Sequence, residues 1–392
     1  MINYEYTFSS FIMIKKIILL FVIWRIFLFL PLIASERFLS PRIGYAYTSL
    51  TYFLEEGSRL SNFLLYPFGN FDGVYYLLIA VKGYTVNAGF FPLFPLLIHI
   101  ASLPFGNILP FDPRQYFTAT ILVNLSFLLS LIIFYKLIKL DFKENIAVWS
   151  IVFLLIFPTS FFFAVIYSES LFLLLSLISF YFARKKKWFL AGIIGALLSA
   201  TRLVGIAIFP AVLYEYFKNE KNKSLGKLAS ILLTPLGLIS YSFYNFLKWG
   251  NPFYFIQAQG KFANNRTVDS IILLPQTLFR YIKILFSIKP NIYEWWVAFL
   301  ELSFFVFVLS LLFVAWKKKI RISYLIFGIL CFLIPASSGT FSALPRYILP
   351  IFPLFIALAL IENKTFKIIY CAISLALLFL FFMLFSKGFF IS

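Results

Sequence analysis

Residues 146–187 read IAVWSIVFLLIFPTSFFFAVIYSESLFLLLSLISFYFARKKK. From Ile146 to Ala183 the only charged side chain is Glu169, and four consecutive basic residues, Arg184 to Lys187, close the stretch. A bilayer core about 30 Å thick asks for about 20 apolar residues per helix. The stretch therefore reads as two membrane passes, Ile146–Val165 and Leu171–Ala183. They join at Tyr167-Ser168-Glu169-Ser170, and the returning pass ends on a basic cluster.

The rest of the chain repeats this pattern. Of 392 residues, 62% are apolar, 21% are aromatic and 12% are charged. The charged fraction is about half the usual ~25% of soluble domains, and mean hydropathy is +0.94. A soluble chain of this length would need several charged-surfaced domains, so soluble-enzyme classes are excluded and an all-α polytopic membrane protein remains. The net charge of +19 is topological, because cytoplasmic loops collect Lys and Arg. The bases cluster between apolar runs: Lys15-Lys16, Lys136/Lys139/Lys143, Arg184 to Lys187, Lys218/Lys221/Lys223/Lys227, Lys317 to Lys319 with Arg321, and Lys364/Lys367. None is interleaved with aromatics as in a nucleic-acid groove. Cys331 and Cys371 lie inside apolar runs, so no disulfide framework is expected. With His99 as the only histidine, a His/Cys zinc site is excluded. A divalent cation held on carboxylates stays open.

Further runs are Ile12–Ala34, Tyr116–Ile138, Trp188–Tyr216, Leu228–Leu247, Trp295–Trp316, Ile322–Ala336, Tyr347–Ile361 and Phe366–Phe385. Ile12–Ala34 carries Arg25 and reads as an uncleaved first span. Arg25 has two candidate partners, Glu169 and a lipid phosphate. The total is about 10–11 spans in one domain, 1–392. Placing every basic cluster in the cytoplasm leaves 35–115 as a first outer loop and 248–294 as a second. Pro92 and Pro95 make Phe90–Leu103 a re-entrant or juxtamembrane pair of short helices. Trp188–Tyr216 is too long for one span and carries Arg202 at its middle, which predicts two half-spans meeting there. Trp188, Trp295, Trp296 and Trp316 sit at run ends, as an interfacial aromatic belt would place them.

Under this topology the unusual polar residues share the outer side: Asp72, Lys82, Tyr84, Glu169, Arg202, Gln257, Gln259 and Arg346. Ionisable groups at or inside a span are costly and so are functional candidates. Each has a plainer reading. Asp72 before Gly73 suits a turn, Glu169 behind Ser168 suits a helix start, Arg346 can snorkel, and His99 suits packing. No nucleotide-binding or hydrolase motif is present. Together the set has a chemical logic. A carboxylate can deprotonate an acceptor hydroxyl, arginines can grip a phosphate, and aromatics with amides suit a sugar.

The stretch Phe71-Asp72-Gly73, Leu78-Ile79-Ala80, Gly83-Tyr84 and Phe90-Phe91-Pro92-Leu93-Phe94-Pro95-Leu96-Leu97 resembles the first-loop signature of the PIG-V family, the GPI mannosyltransferase II-like enzymes. Similar segments follow in family order: Phe157-Pro158-Thr159-Ser160-Phe161-Phe162 with Tyr167-Ser168-Glu169-Ser170-Leu171-Phe172, Ala200-Thr201-Arg202-Leu203-Val204-Gly205, and Arg346-Tyr347-Ile348-Leu349-Pro350-Ile351-Phe352-Pro353-Leu354. Asn251-Pro252-Phe253 with Gln257-Ala258-Gln259 is a weaker match. Two positions depart from the family pattern: Phe71 replaces the Trp usual before the Asp, and Lys261-Phe262 stands where a Trp commonly follows. The chain lacks a long luminal insertion, which suggests a prokaryotic relative.

The resemblance implies a GT-C-type bundle. It implies transfer of a hexose, mannose in the family, from a polyprenyl- or dolichyl-phosphate carrier to a glycan or glycolipid acceptor. The expected place is the outer face of the cell membrane, or the lumen of the endoplasmic reticulum in a eukaryote. Asp72 matches the family's first-loop Asp, with acceptor activation as its implied role. Expected partners are the lipid-phosphate sugar, the acceptor and membrane lipids, with no nucleic acid. Two other classes stay open: a lipid-linked oligosaccharide ligase or polymerase, and a transporter, which would favour inverted repeats.

Overall fold

The computed structural model describes residues 2–54, 58–85, 87–260, 267–268, 270 and 272–391. Among these the chain forms nineteen α-helices and no strands. In order they are α1 Ile2–Phe27, α2 Phe29–Phe38, α3 Arg59–Leu64, α4 Asp72–Lys82, α5 Leu93–Ser102, α6 Pro113–Ile138, α7 Glu144–Leu155, α8 Glu169–Arg184, α9 Trp188–Ser199 and α10 Ile208–Asn219. Then come α11 Leu225–Leu232, α12 Leu236–Trp249, α13 Tyr254–Gln259, α14 Leu274–Ser287, α15 Tyr293–Lys317, α16 Ile322–Ala336, α17 Leu344–Tyr347, α18 Pro353–Ala359 and α19 Lys364–Ser386.

Four helical stretches are long and apolar enough to cross a bilayer: Ile12–Phe38, α6, α15 and α19. The pair α11 and α12, bent by 46°, makes a fifth if it counts as one span. Against the expected 10–11 spans, four or five helical stretches among the described residues have the length to cross, because proline and close packing shorten many helices. Ile146–Val165 is helical only to Leu155. Pro158 follows, and Ser160–Phe163 form a tight 3₁₀ turn. Tyr347–Ile361 is not one span at all. Pro350 and Pro353 interrupt it, and Ile348 to Ala359 are buried against the protein throughout. Proline removes a helical donor and clashes with the preceding turn, so this segment is a broken insert within the core. Trp188–Tyr216 behaves as expected: α9 and α10 are short and meet through a 3₁₀ turn, Leu203–Ala207, just after Arg202. α5 has 10 residues, too few to cross a bilayer core at 1.5 Å per residue.

Small residues allow the closest helix approach. A Cβ added to Gly192 would lie 1.8 Å from Ser230 O, and one on Gly237 would lie 2.0 Å from Ala196 O. Helices that meet without a hydrophobic driving force pack through such positions. Trp296 and Trp316 are exposed, as a belt requires. Trp188 is buried instead and donates from Nε1 to Glu220 at 2.8 Å.

At one end of the bundle a charged network ties four elements together. Arg184, at the end of α8, grips Asp141 with two nitrogens at 2.5 and 2.8 Å and donates to Tyr324 Oη at 2.8 Å. Arg321, at the start of α16, holds Glu215 of α10 through Nε and Nη2 at 2.9 and 2.7 Å, and Ser323 Oγ donates to the same carboxylate at 2.8 Å. This network gathers the basic clusters that follow α6, α8, α10 and α15 at that end.

Candidate active site

The opposite end of α8 begins with Glu169. Fifteen residues separate Glu169 from Arg184, or about 22 Å at 1.5 Å per residue. Here a cavity of about 680 Å³ opens among α4, the α9–α10 junction, α13 and the segment between α16 and α17.

The backbone turns sharply into α4. Phe71 has φ +54°, a conformation that a residue with a bulky side chain rarely adopts. Neighbours hold the turn: Phe71 N–H donates to Thr48 O at 2.6 Å, Asp72 N–H to Tyr167 Oη at 3.2 Å, and Tyr167 Oη to Asn70 O at 3.1 Å. Asp72 therefore starts α4 at a fixed place on the cavity wall. The Phe71 ring packs on Phe385 and Phe390 of the C-terminal segment. Lys261-Phe262, the other departure from the family pattern, lies outside the described residues.

Asp72 heads a chain of alternating charge. Arg346 Nη1 donates to Asp72 Oδ2 at 2.6 Å, and Arg346 Nε is 3.4 Å from Glu169 Oε1. Arg202 Nη1 donates to the same Glu169 oxygen at 2.5 Å. Two carboxylates and two guanidiniums cancel in formal charge, which lets the set sit in apolar surroundings. Glu169 is 2% exposed and is the hub. Arg346 Nε is buried and has no hydrogen-bond partner among the described residues. Tyr347 lies beneath both arginines, with its ring centre 4.9 Å from the Arg202 guanidinium and 5.1 Å from that of Arg346.

Tyr76, one turn after Asp72, shares a hydrogen bond with Ser168 Oγ at 3.0 Å. Burial first, then the Glu169 carboxylate, pushes its hydroxyl well above the ordinary tyrosine value. Tyr76 therefore stays protonated, as a neutral hydrogen-bonding group.

The structure gathers Asp72, Glu169, Arg202, Gln259 and Arg346. Gln259 Nε2 donates to Gly89 O at 2.8 Å on the cavity wall. Three expected site residues fall outside. Lys82 is exposed at the far end of α4, on a face turned from that of Asp72 and Tyr76. Gln257 is exposed too, because Phe255 and Gln259, one turn apart on α13, take the inward face. Tyr84 does not line the cavity; it donates to Phe90 O at 2.8 Å and packs on Tyr241 and Tyr244 behind the wall. Arg25 does not pair with Glu169. Its guanidinium stacks on Phe68 at 4.0 Å, while Glu169 is engaged by the other two arginines. His99 Nδ1 meets Ala80 O at 2.8 Å, in keeping with packing.

The sequence reading missed Tyr76 and Tyr347, and it missed the hydroxyl wall of Thr201, Thr267, Ser337 and Ser338. The four-residue step from Asp72 was a usable signal for Tyr76. Among the described residues, no group of three or more His, Cys, Asp or Glu side chains could hold a metal ion.

A polytopic helical protein with a charged, sugar-sized cavity at one end is the class that fold and site define. Residues 7–217 match the family model of the mannosyltransferases (PIG-V). That is more than half of the chain, so the chain belongs to this family. Asp72, Glu169 and Arg202 lie inside the matched region; Gln259 and Arg346 lie beyond it. No curated protein matches in sequence. Among solved structures the chain is similar to the Archaeoglobus fulgidus oligosaccharyltransferase, crystallised with Zn and sulfate. The identity is 14%, the TM-score 0.39, and the match covers 81% of this chain and 48% of that one. The chain therefore spans about half the length of that protein.

Proposed function

We propose that the protein moves a hexose, mannose by its family, from a polyprenyl- or dolichyl-phosphate carrier to a glycan or glycolipid acceptor, in the cavity headed by Asp72. The observation that carries this reading is the Asp72–Arg346–Glu169–Arg202 chain on one cavity wall. It supplies both groups the transfer needs. Asp72 takes the proton of the acceptor hydroxyl as that oxygen attacks the sugar C1. The bond from C1 to the phosphate oxygen breaks, and the phosphate departs with the bonding electrons. Arg346 and Arg202 receive that charge, with planar donors suited to phosphate oxygens. Glu169 holds both arginines in place while they do so. The hydroxyl and amide wall offers partners for sugar hydroxyls.

An outer-face location is supported by the end-to-end separation of charge. The cavity segments lie at the helix ends opposite the basic network, and bases collect in the cytoplasm. A divalent cation is not required by this scheme.

Donor competition tests the reading. The purified protein is given polyprenyl-phosphate mannose or, separately, GDP-mannose without carrier lipid. Product from the lipid donor is expected. Product from the nucleotide sugar alone overturns the proposal.

A further inference from the structure

Helix α14 pairs antiparallel with the first part of span α15. Tyr281 Oη donates to Glu301 Oε2 at 2.5 Å, and Trp295 Nε1 donates to Leu285 O at 3.0 Å. Glu301 lies eight residues, or about 12 Å, inside the start of α15. α14 therefore runs down beside the span instead of outward into water. Its outward face carries three large apolar side chains, Phe279, Ile282 and Phe286, which follow helical spacing and are 67%, 47% and 88% exposed, with Gln276 and Lys283 at its margin. The charges sort by depth. Arg280 turns inward and donates to Gly339 O at 3.1 Å. Lys283 and Lys289 sit towards the end that leads to the start of the span, where a lysine can snorkel.

The inward face holds the loop before Arg346. Tyr281 Oη accepts the Phe341 N–H at 2.9 Å and meets Thr340 Oγ1 at 3.1 Å. The same loop accepts Thr267 N–H at Ser338 O and Ile272 N–H at Ser337 O, both at 3.0 Å. Ser337, Ser338 and Thr267 line the cavity, and α17 with Arg346 follows within a few residues.

We propose that bilayer acyl chains cover the outward face of α14, and that the helix is a lipid-seated brace fixing the 337–343 loop and so Arg346. Depth beside a span and the sorting of charge argue for lipid as the occupant; water would leave this row of rings exposed. The bracing half rests on the cavity being the reaction chamber, while the lipid half does not.

The test uses full-length protein in phosphatidylcholine vesicles. A fluorophore is attached at Phe286→Cys in a Cys371→Ser background. Quenching by lipids carrying a nitroxide on the acyl chain, and not by aqueous iodide, is expected. Quenching by iodide overturns the lipid half, and so does quenching by neither agent, which would place a protein partner or a second copy on the face.

For the brace, Glu301→Gln keeps an acceptor for Tyr281 and should retain kcat. Glu301→Leu and Tyr281→Phe should each lower kcat about tenfold, the scale of one lost buried hydrogen bond, with the fluorophore reading unchanged. Unchanged kcat in folded Tyr281→Phe refutes the brace. A wild-type protein inactive on the lipid donor refutes the reading of the cavity and leaves the labelling result standing.

Discussion

The two ends of the bundle carry the same charged ingredients, two carboxylates and two arginines, arranged to opposite effect. At the basic end, Arg321 grips Glu215 with two nitrogens and Arg184 grips Asp141 with two, while Ser323 and Tyr324 add further bonds. None of these residues lines the cavity. At the cavity end each contact uses a single nitrogen, one carboxylate oxygen serves both arginines, and Arg346 Nε has no hydrogen bond. Glu169 and Glu215 are both 2% exposed, so burial does not separate the two roles. Denticity and place do: two-nitrogen grips join helices away from the cavity, while single-nitrogen contacts hold Asp72, Arg202 and Arg346 on a wall that a ligand can reach.

The sharpest way to break that comparison is Asp72→Asn. Turnover should fall by about 10² to 10⁴, while the melting temperature stays near wild type. Near-normal turnover would reduce Asp72 to a turn residue. Glu215→Leu should do the reverse. It strands Arg321 in a part-buried site, and breaking a buried pair costs about 3–5 kcal/mol. Thermal unfolding in detergent should reveal that loss, with kcat of the folded fraction preserved; a selective loss of kcat would erase the distinction between the ends.

Arg346→Lys and Arg202→Lys keep the charge but lose the planar fork. Each should weaken use of the lipid donor by about 10- to 150-fold, the scale of a charge-assisted hydrogen bond of ~1.5–3 kcal/mol. Equal kinetics for lysine and arginine would mean that these positions supply charge alone. The smallest effect belongs to Glu294→Gln. Its pair with Arg42 is open to solvent on both sides, so stability should move by less than about 1 kcal/mol. A larger shift in the melting curve would show that even the exposed pairs hold the bundle.

The sequence made parts of this arrangement legible and hid others for physical reasons. Arg202 stood out because a guanidinium inside an apolar run is costly, and the run around it was too long for one helix. Both signals are local, and both led to the half-helix junction. Asp72, Glu169 and Arg346 could be selected individually, but their union could not be read, since Arg346 meets Asp72 across 274 positions. Apolar counting also treats lipid and protein as one solvent. Tyr347–Ile361 looked like a span for that reason, although neighbouring helices cover its middle. Lys82 and Gln257 were chosen as polar residues of the outer loops, and helix periodicity turned them away from the cavity.

The buried insert from Ile348 to Ala359 has a consequence for biogenesis. A segment interrupted by prolines and enclosed on all sides has no lipid-facing surface with which to partition from the insertion machinery alone. It must be received by helices already in the bilayer: α7, α15 and α16 pack on its helical part, and all precede it in the chain. Assembly of the cavity wall would then wait for those helices to be in place, since Arg346 enters immediately ahead of this insert.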